Sequence, residues 1–170
     1  MNGYMGKILK IDLSEGSHAV EDLSPEFARA FLGGNGFAAR LIHDLVPPGT
    51  DALSPENIVV FATGPINTTQ VWGSGRAHVA SISPQTSMFM DSNFGGNFGW
   101  MMKRTGYDVF MIAGRAARPV YIFITDEAVE IRDAAGLWGR TTGETHRLLL
   151  HDTCPGMESA VIGPAGENGV

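Results

Sequence analysis

Two glycine-rich turns bracket one stretch near the middle of the chain, and they constrain the backbone more than any other feature. The first is Gly73-Ser74-Gly75-Arg76 and the second runs Asn93-Phe94-Gly95-Gly96-Asn97-Phe98-Gly99. Between them lie two short apolar-rich runs, Ala77 to Ile82 and Met88 to Met90, joined at Ser83-Pro84-Gln85-Thr86. This is the pattern of a β-hairpin. Arg76 and Asn93 are equally far in sequence from the Pro84–Gln85 bond. Antiparallel pairing about that turn would set them opposite each other at the open end, with Cα atoms about 5 Å apart. That end would carry an arginine fork, bare backbone amides and no bulky side chains on the glycines, a place suited to a large anion.

The 22 glycines among 170 residues are about twice the average usage of roughly 7%. They cluster at segment junctions, where positive φ or close backbone approach is wanted. With 44% hydrophobic and 18% charged residues, the chain reads as one globular domain, residues 1–170, able to bury a sizeable core. The formal charge of −6 argues against nucleic acid as a partner, because phosphate-backbone binding needs a basic face. Cys154 is the only cysteine, which excludes an internal disulfide and a four-cysteine metal site within this chain. Met1 to Asp12 lacks the apolar core of a secretory signal, and no apolar run is long enough to span a bilayer. A soluble cytoplasmic protein is the expectation.

Alternation over Gly6 to Leu13 predicts a strand, with a turn at Ser14-Glu15-Gly16 and a return arm over His18 to Asp22. Ser24-Pro25-Glu26 opens a helix that ends at Gly33-Gly34, and a second helix runs from Gly36 to Leu45. Asn57 to Thr63 is a strand ending in Gly64-Pro65. After the central hairpin comes a helix from about Gly96 to Thr105, with Phe98, Met101 and Met102 on its apolar side. Strands follow at Asp108 to Ala113, Val120 to Thr125 and Val129 to Arg132. Thr141 with Glu144 reads as a capping box for a helix to about Asp152, and Ser159 to Ile162 as a last strand before Gly163-Pro164. Hairpin, helix, strand and Gly-Pro thus occur twice in the same order, so two similar halves are one reading. Chance recurrence of common units is the other. The class is α+β. The run Ala165 to Val170 carries no stop signal, and the chain reads as the amino-terminal part of something longer.

Gly34-Asn35-Gly36-Phe37-Ala38-Ala39 matches a dinucleotide-binding pattern, but that pattern needs a preceding strand and Glu26 to Leu32 reads as a helix. A glycine-broken helix–helix junction is the stronger reading. Gly73-Ser74-Gly75-Arg76 lacks the lysine and length of a Walker loop; an anion site and a turn with an exposed arginine both remain open there. Asn93-Phe94-Gly95-Gly96 reads as a helix opening, where unpaired N–H groups favour phosphate, although asparagine is also an ordinary cap. Two such turns at one hairpin end favour a site. The histidines are scattered, with Asp91 and His78 near the hairpin but in no arguable catalytic pairing. Met88, Met90, Met101 and Met102 read as core filler, and core packing is the stronger reading for two of Trp72, Trp100 and Trp138.

Many of these segments together resemble one family. Tyr4-Met5-Gly6-Lys7-Ile8-Leu9, Phe31-Leu32-Gly33-Gly34, Leu53-Ser54-Pro55-Glu56-Asn57 and Phe61-Ala62-Thr63-Gly64-Pro65 come in its order, as do Ser83-Pro84, Gly95-Gly96 and Gly106-Tyr107-Asp108. Leu137-Trp138-Gly139 and Ile162-Gly163-Pro164-Ala165-Gly166-Glu167-Asn168 complete the set. The chain resembles the amino-terminal domain of the tungsten-dependent aldehyde:ferredoxin oxidoreductases. The resemblance implies a β-rich, saddle-like domain on which a tungsten (or molybdenum) bis-pterin sits beside a [4Fe–4S] cluster. It implies oxidation of aldehydes to carboxylic acids with ferredoxin as electron acceptor, and anaerobic metabolism. A homodimer remains open. Carried over by position, Arg76 links pterin to cluster, the backbone of Asn93 helps hold a magnesium ion bridging the pterin phosphates, and Gly95 and Gly96 contact pterin. Cluster cysteines and catalytic groups belong to the family's later domains, so this chain alone is expected to be inactive. Asn35 stands where many members carry arginine, Gln70-Val71-Trp72 replaces a small proline-containing stretch, and Ser87 replaces a frequent glycine; these departures leave the substrate open. Two readings of another class stand beside the enzyme: a stand-alone module for a phosphorylated small molecule, and a structural or dimerisation domain.

Overall fold

The structure is a computed structural model that describes residues 1–169. Eight strands and five helices alternate irregularly: β1 (Lys7–Asp12), β2 (Ser17–Asp22), α1 (Pro25–Phe31), α2 (Asn35–Leu45), β3 (Ile58–Ala62), β4 (Ala77–Ile82), β5 (Phe89–Phe94), α3 (Phe98–Arg104), β6 (Val109–Ala113), β7 (Val120–Ile124), β8 (Val129–Asp133), α4 (Thr142–Asp152) and α5 (Gly163–Glu167). Six strands form one sheet in the order β2-β1-β6-β3-β4-β5, and β7 and β8 form a second, two-stranded sheet. Within the large sheet only β1 and β6 run parallel. The α+β expectation holds.

Alternation along the strands separates two cores. Ile8, Ile58, Val60, Ala62, Ala80, Val109 and Met111 face α1 and α2, whose Ala28, Phe37, Ala38, Leu41 and Ile42 cover them. Leu9, Ile11 and Phe110 lie on the opposite face with Met102 of α3, and Ile122, Ile124, Val129 and Ile131 of the small sheet pack against them. The helices begin where capping chemistry dictates. Ser24 accepts a hydrogen bond from the Phe27 amide with Pro25 just inside α1, and Thr141 and Glu144 form a reciprocal capping box at α4.

The hairpin β4–β5 departs from its expected register. His78 pairs with Asn93 and Ala77 with Phe94, so the strand extension places Arg76 opposite Gly95 rather than Asn93. The cause is the turn. Ser83 Oγ accepts from the amides of Gln85 and Thr86, the Ser87 amide donates to the Ser83 carbonyl, and Ser87 takes φ 56°. These bonds centre the loop one residue later than the Pro84–Gln85 bond and shift the pairing by two. A two-residue shift preserves the face, so Arg76 and Asn93 remain diagonal neighbours on one side of the sheet.

Three further expectations are corrected. Asn93 and Phe94 end β5, and α3 opens only at Phe98 after Asn97, so Asn93 caps no helix. Ser159 to Ile162 is not a strand, because no described strand lies alongside it; Gly163-Pro164 instead starts α5, proline being favoured in a first turn. The echo between the two halves therefore stops at the helix, and Val170, the last residue of the closing run, lies outside the described residues. None of the tryptophans is buried: Trp72 is 98% exposed, Trp138 is exposed, and Trp100 is half-buried with the Arg104 guanidinium 4.8 Å from its ring. Met88 and Met90 are likewise exposed, leaving Met102 as the buried methionine of that group. Among the described residues no helix is long and apolar enough to cross a membrane.

Candidate functional site

The open end of the β4–β5 hairpin gathers the residues singled out by sequence. Arg76, Asn93, Gly95 and Gly96 are all exposed there. Among the described residues Arg76 makes no ion pair, leaving its guanidinium free for an anion. Gly95 presents no side chain to it: a Cβ there would lie 4.0 Å from Arg76 Nε. Gly96 has φ 72° and nothing within 4 Å of where a side chain would start. Gly73, Ser74, Gly75, Gly96, Asn97 and Trp100 line a shallow pocket of about 340 Å³ beside the arginine, which does not itself line it.

Close packing holds the two glycine turns together. A Cβ on Gly75 would approach the Gly96 carbonyl oxygen to 2.8 Å, and one on Gly99 would meet Ala77 Cβ at 2.6 Å. Helix α3 thus abuts the Gly75–Ala77 backbone because Gly99 has no side chain. The arrangement is a closely packed, bare-backbone cradle with one free guanidinium.

On the Arg76 face, His78 and Asp91 are diagonal neighbours, with His78 Nδ1 3.8 Å from Asp91 Oδ2. The His78 ring lies against Gly34, where φ is 51° and a Cβ would come within 2.6 Å of His78 Cδ2. The Gly34–Asn35 junction is therefore a helix–helix junction that admits the histidine, with α1 in the place where a dinucleotide site needs a strand. Asn35 Oδ1 and His78 Nδ1 are buried without a hydrogen-bond partner among the described residues. His146 is remote in role, its Nδ1 2.8 Å from Ser159 Oγ.

Sequence reasoning missed the polar residues beneath the cradle. Lys103 is 1% exposed; its Nζ donates to the carbonyls of Gly3 and Gly64, each at 2.5 Å, and lies 3.4 Å from Asp108 Oδ1. Asp108, fully buried, accepts from the Gly6 amide at 2.7 Å through Oδ2. Burial pulls the Lys103 ammonium below its ordinary pKa, and the neighbouring Asp108 charge opposes that shift. Burial, then Asp108, raises the pKa of Tyr4, whose ring centre is 5.6 Å from Lys103 Nζ. Asn67, 3% exposed, accepts from the Gly64 amide at 2.7 Å and donates to the Arg76 carbonyl at 3.0 Å. The available signal was a lysine directly after the apolar run Phe98 to Met102, five residues before an aspartate that ends a glycine turn.

A cavity of about 680 Å³ lies elsewhere, bordered by α3, the small sheet and the segment around Met157 to Ile162. It has no cluster of metal-ligating groups; among the described residues no three His, Cys, Asp or Glu side chains could hold an ion together.

A model of the aldehyde ferredoxin oxidoreductase amino-terminal domain matches residues 8–170. A tungsten-containing aldehyde ferredoxin oxidoreductase of Pyrococcus horikoshii is 43% identical over the whole chain, which covers 28% of that protein. The WOR-like subunit of an aliphatic sulfonate oxidoreductase from Pyrococcus furiosus is 32% identical over 89% of the chain, equal to 24% of its own length. Among solved structures, the active-site complex BamBC of benzoyl coenzyme A reductase, bound to 1,5-dienoyl-CoA, superposes with a TM-score of 0.96. It is 36% identical over 98% of this chain and 26% of that one. These likenesses define the class, an α+β domain carried by oxidoreductases much longer than itself. The chain belongs to the aldehyde ferredoxin oxidoreductase family and corresponds to its amino-terminal domain.

Proposed function

We propose that this domain cradles a tungsten bis-pterin in an oxidoreductase that also carries a [4Fe–4S] cluster. The reaction is oxidation of an aldehyde and water to a carboxylic acid, releasing two protons and two electrons, with ferredoxin taking the electrons one at a time. The observation that carries the reading is the free Arg76 guanidinium beside the bare Gly95-Gly96 turn, in a chain whose 43% identical relative is named as tungsten-containing. The residues fit such a group: an exposed cationic fork suits a phosphate, and unsubstituted backbone lets a flat polycyclic ligand approach. Arg76 would hold the pterin on the side toward the cluster. The Asn93 backbone would help hold a magnesium ion between the phosphates, and Gly95 and Gly96 would contact the pterin. When bound, the metal supplies two-electron oxidation chemistry; this domain contributes charge neutralisation and a fixed surface.

In the full-length natural protein, elemental analysis is expected to find tungsten and iron. Arg76→Ala is expected to lose cofactor or to slow reduction of a viologen dye by aldehydes. Wild-type metal content together with wild-type dye reduction in that variant would overturn the role.

A second reading is favoured by the benzoyl coenzyme A reductase complex, which matches nearly the whole chain at 36% identity. Under it the full-length protein acts on an aromatic coenzyme A thioester within a larger assembly. Oxidation of reduced viologen by benzoyl-CoA, with no response to aldehydes, would select that reading.

A further inference from the structure

We propose that Asn67 and Lys103 are positioning residues for Arg76, acting on its main chain from beneath the cradle. The inference rests on the anion-binding role given to Arg76 above.

Arg76 immediately precedes the first ladder pair of the hairpin, Ala77 with Phe94, so the sheet does not fix its backbone. Its amide reaches the Gly73 carbonyl only at 3.4 Å. Its carbonyl is held by Asn67 Nδ2 at 3.0 Å. The same asparagine uses its Oδ1 on the Gly64 amide, and its own amide donates to the Gly64 carbonyl at 3.2 Å. Lys103 grips that carbonyl from the other side. The Gly64 peptide is thereby clamped at both ends, and the clamp passes through one side chain to Arg76.

A buried ammonium is an expensive way to fill space, since desolvating an ion is penalised whereas burying an apolar side chain is favourable. Lys103 answers that cost with hydrogen bonds to two carbonyls and with the Asp108 carboxylate 3.4 Å away as its counter-ion. An apolar side chain of the same length would pack there, but it could not hold the Gly64 carbonyl. The long arginine arm amplifies any slack at its root, and a misplacement of about 1 Å at a reacting site can cost on the order of a hundredfold in rate.

The test uses the full-length natural protein and four variants: Arg76→Ala, Asn67→Asp, Lys103→Met and the double variant Arg76→Ala/Asn67→Asp. Asn67→Asp keeps the acceptor for the Gly64 amide and removes the donor to Arg76, so the local turn survives while the link is cut. Bound tungsten retained after dialysis is expected to fall about tenfold in Asn67→Asp, as for a lost hydrogen bond to a charged partner's frame. The double variant should fall no further than Arg76→Ala alone, because residues acting as a unit are not additive. Wild-type retention in Asn67→Asp, or losses that multiply in the double variant, overturns the proposal. If Arg76→Ala itself retains tungsten and dye reduction, the anion role fails separately. Deuterium uptake then decides the positioning: Asn67→Asp and Lys103→Met must speed exchange at the Arg76 and Ala77 amides with β3 unchanged. Uniform or absent change overturns it.

Discussion

The two sheets of this domain are finished to different degrees. In the six-stranded sheet Leu9, Val60, Ala62, Ala80 and Val109 are fully buried, with α1 and α2 on one face and α3 on the other. In the β7–β8 sheet no residue is fully buried, and a cavity of about 680 Å³ separates part of it from α3. A two-stranded hairpin alone is marginal in water, so this sheet depends on what its inner face touches. The contrast locates the stability of the described chain in the large sheet, which is also the sheet that carries the Arg76 end.

The sharpest way to break that comparison is to hollow each core in turn. Phe37, fully buried beneath α1 and the sheet, should lose about 3–5 kcal/mol as Phe37→Ala. Ile122→Ala, from a half-buried strand beside a cavity, should lose about 1–2 kcal/mol, since little packing is there to forfeit. Urea unfolding of both variants reads the difference, and equal losses would erase the distinction. Amide exchange tests it without mutation. The β7–β8 amides should exchange well before those of β1, β3 and β6, which open only with the whole fold.

A smaller effect probes the helix beside the small sheet. Thr141→Ala removes the hydroxyl that accepts the Glu144 amide and should cost about 1 kcal/mol. The Glu144 carboxylate is held below its ordinary pKa by its bonds to the Thr141 backbone and side chain. That contribution is present above the unfolded carboxylate range and is lost as pH falls through the lowered value. In Thr141→Ala the acid limb of the stability curve around α4 should flatten, while the limb read from the large sheet stays.

How much of this was legible depended on whether the deciding interaction was local. β1, β4, α1 and α4 follow from alternation and caps that span four residues or fewer, and their bounds agree closely with expectation. The hairpin register did not, because a serine side chain and a positive φ at Ser87 moved the turn centre, and neither leaves a mark in hydrophobic pattern. The exposed site residues were visible as residue types at a glycine-rich turn. Their support was not: Asn67 meets Arg76 across nine residues, and Lys103 meets Gly3 across a hundred. Long-range polar contacts carry no periodicity. A buried lysine also contradicts the usual rule for that residue, so the rule points away from it.

The Lys103–Asp108 pair offers the finest test, because it ties the large sheet to pH while leaving the small sheet aside. Burial lowers the Lys103 pKa from its ordinary 10.5. Between the lowered value and 10.5, the unfolded chain holds a proton that the folded chain has released. Stability therefore rises with pH across that window, at up to about 1.4 kcal/mol per pH unit, and levels off above it. Tyr4 works in the opposite sense: its pKa is raised from 10.0, so its contribution is lost as pH climbs beyond that point. The clean interval thus ends near the ordinary tyrosine value. Urea unfolding followed as pH rises through the lowered Lys103 value should show the rising limb in the wild type and none in Lys103→Met. The β7–β8 amides, opening locally, should show neither slope once their intrinsic base-catalysed exchange is divided out. A flat wild-type curve, or a slope shared by β7–β8, would remove the electrostatic half of the distinction and leave packing alone to separate the two sheets.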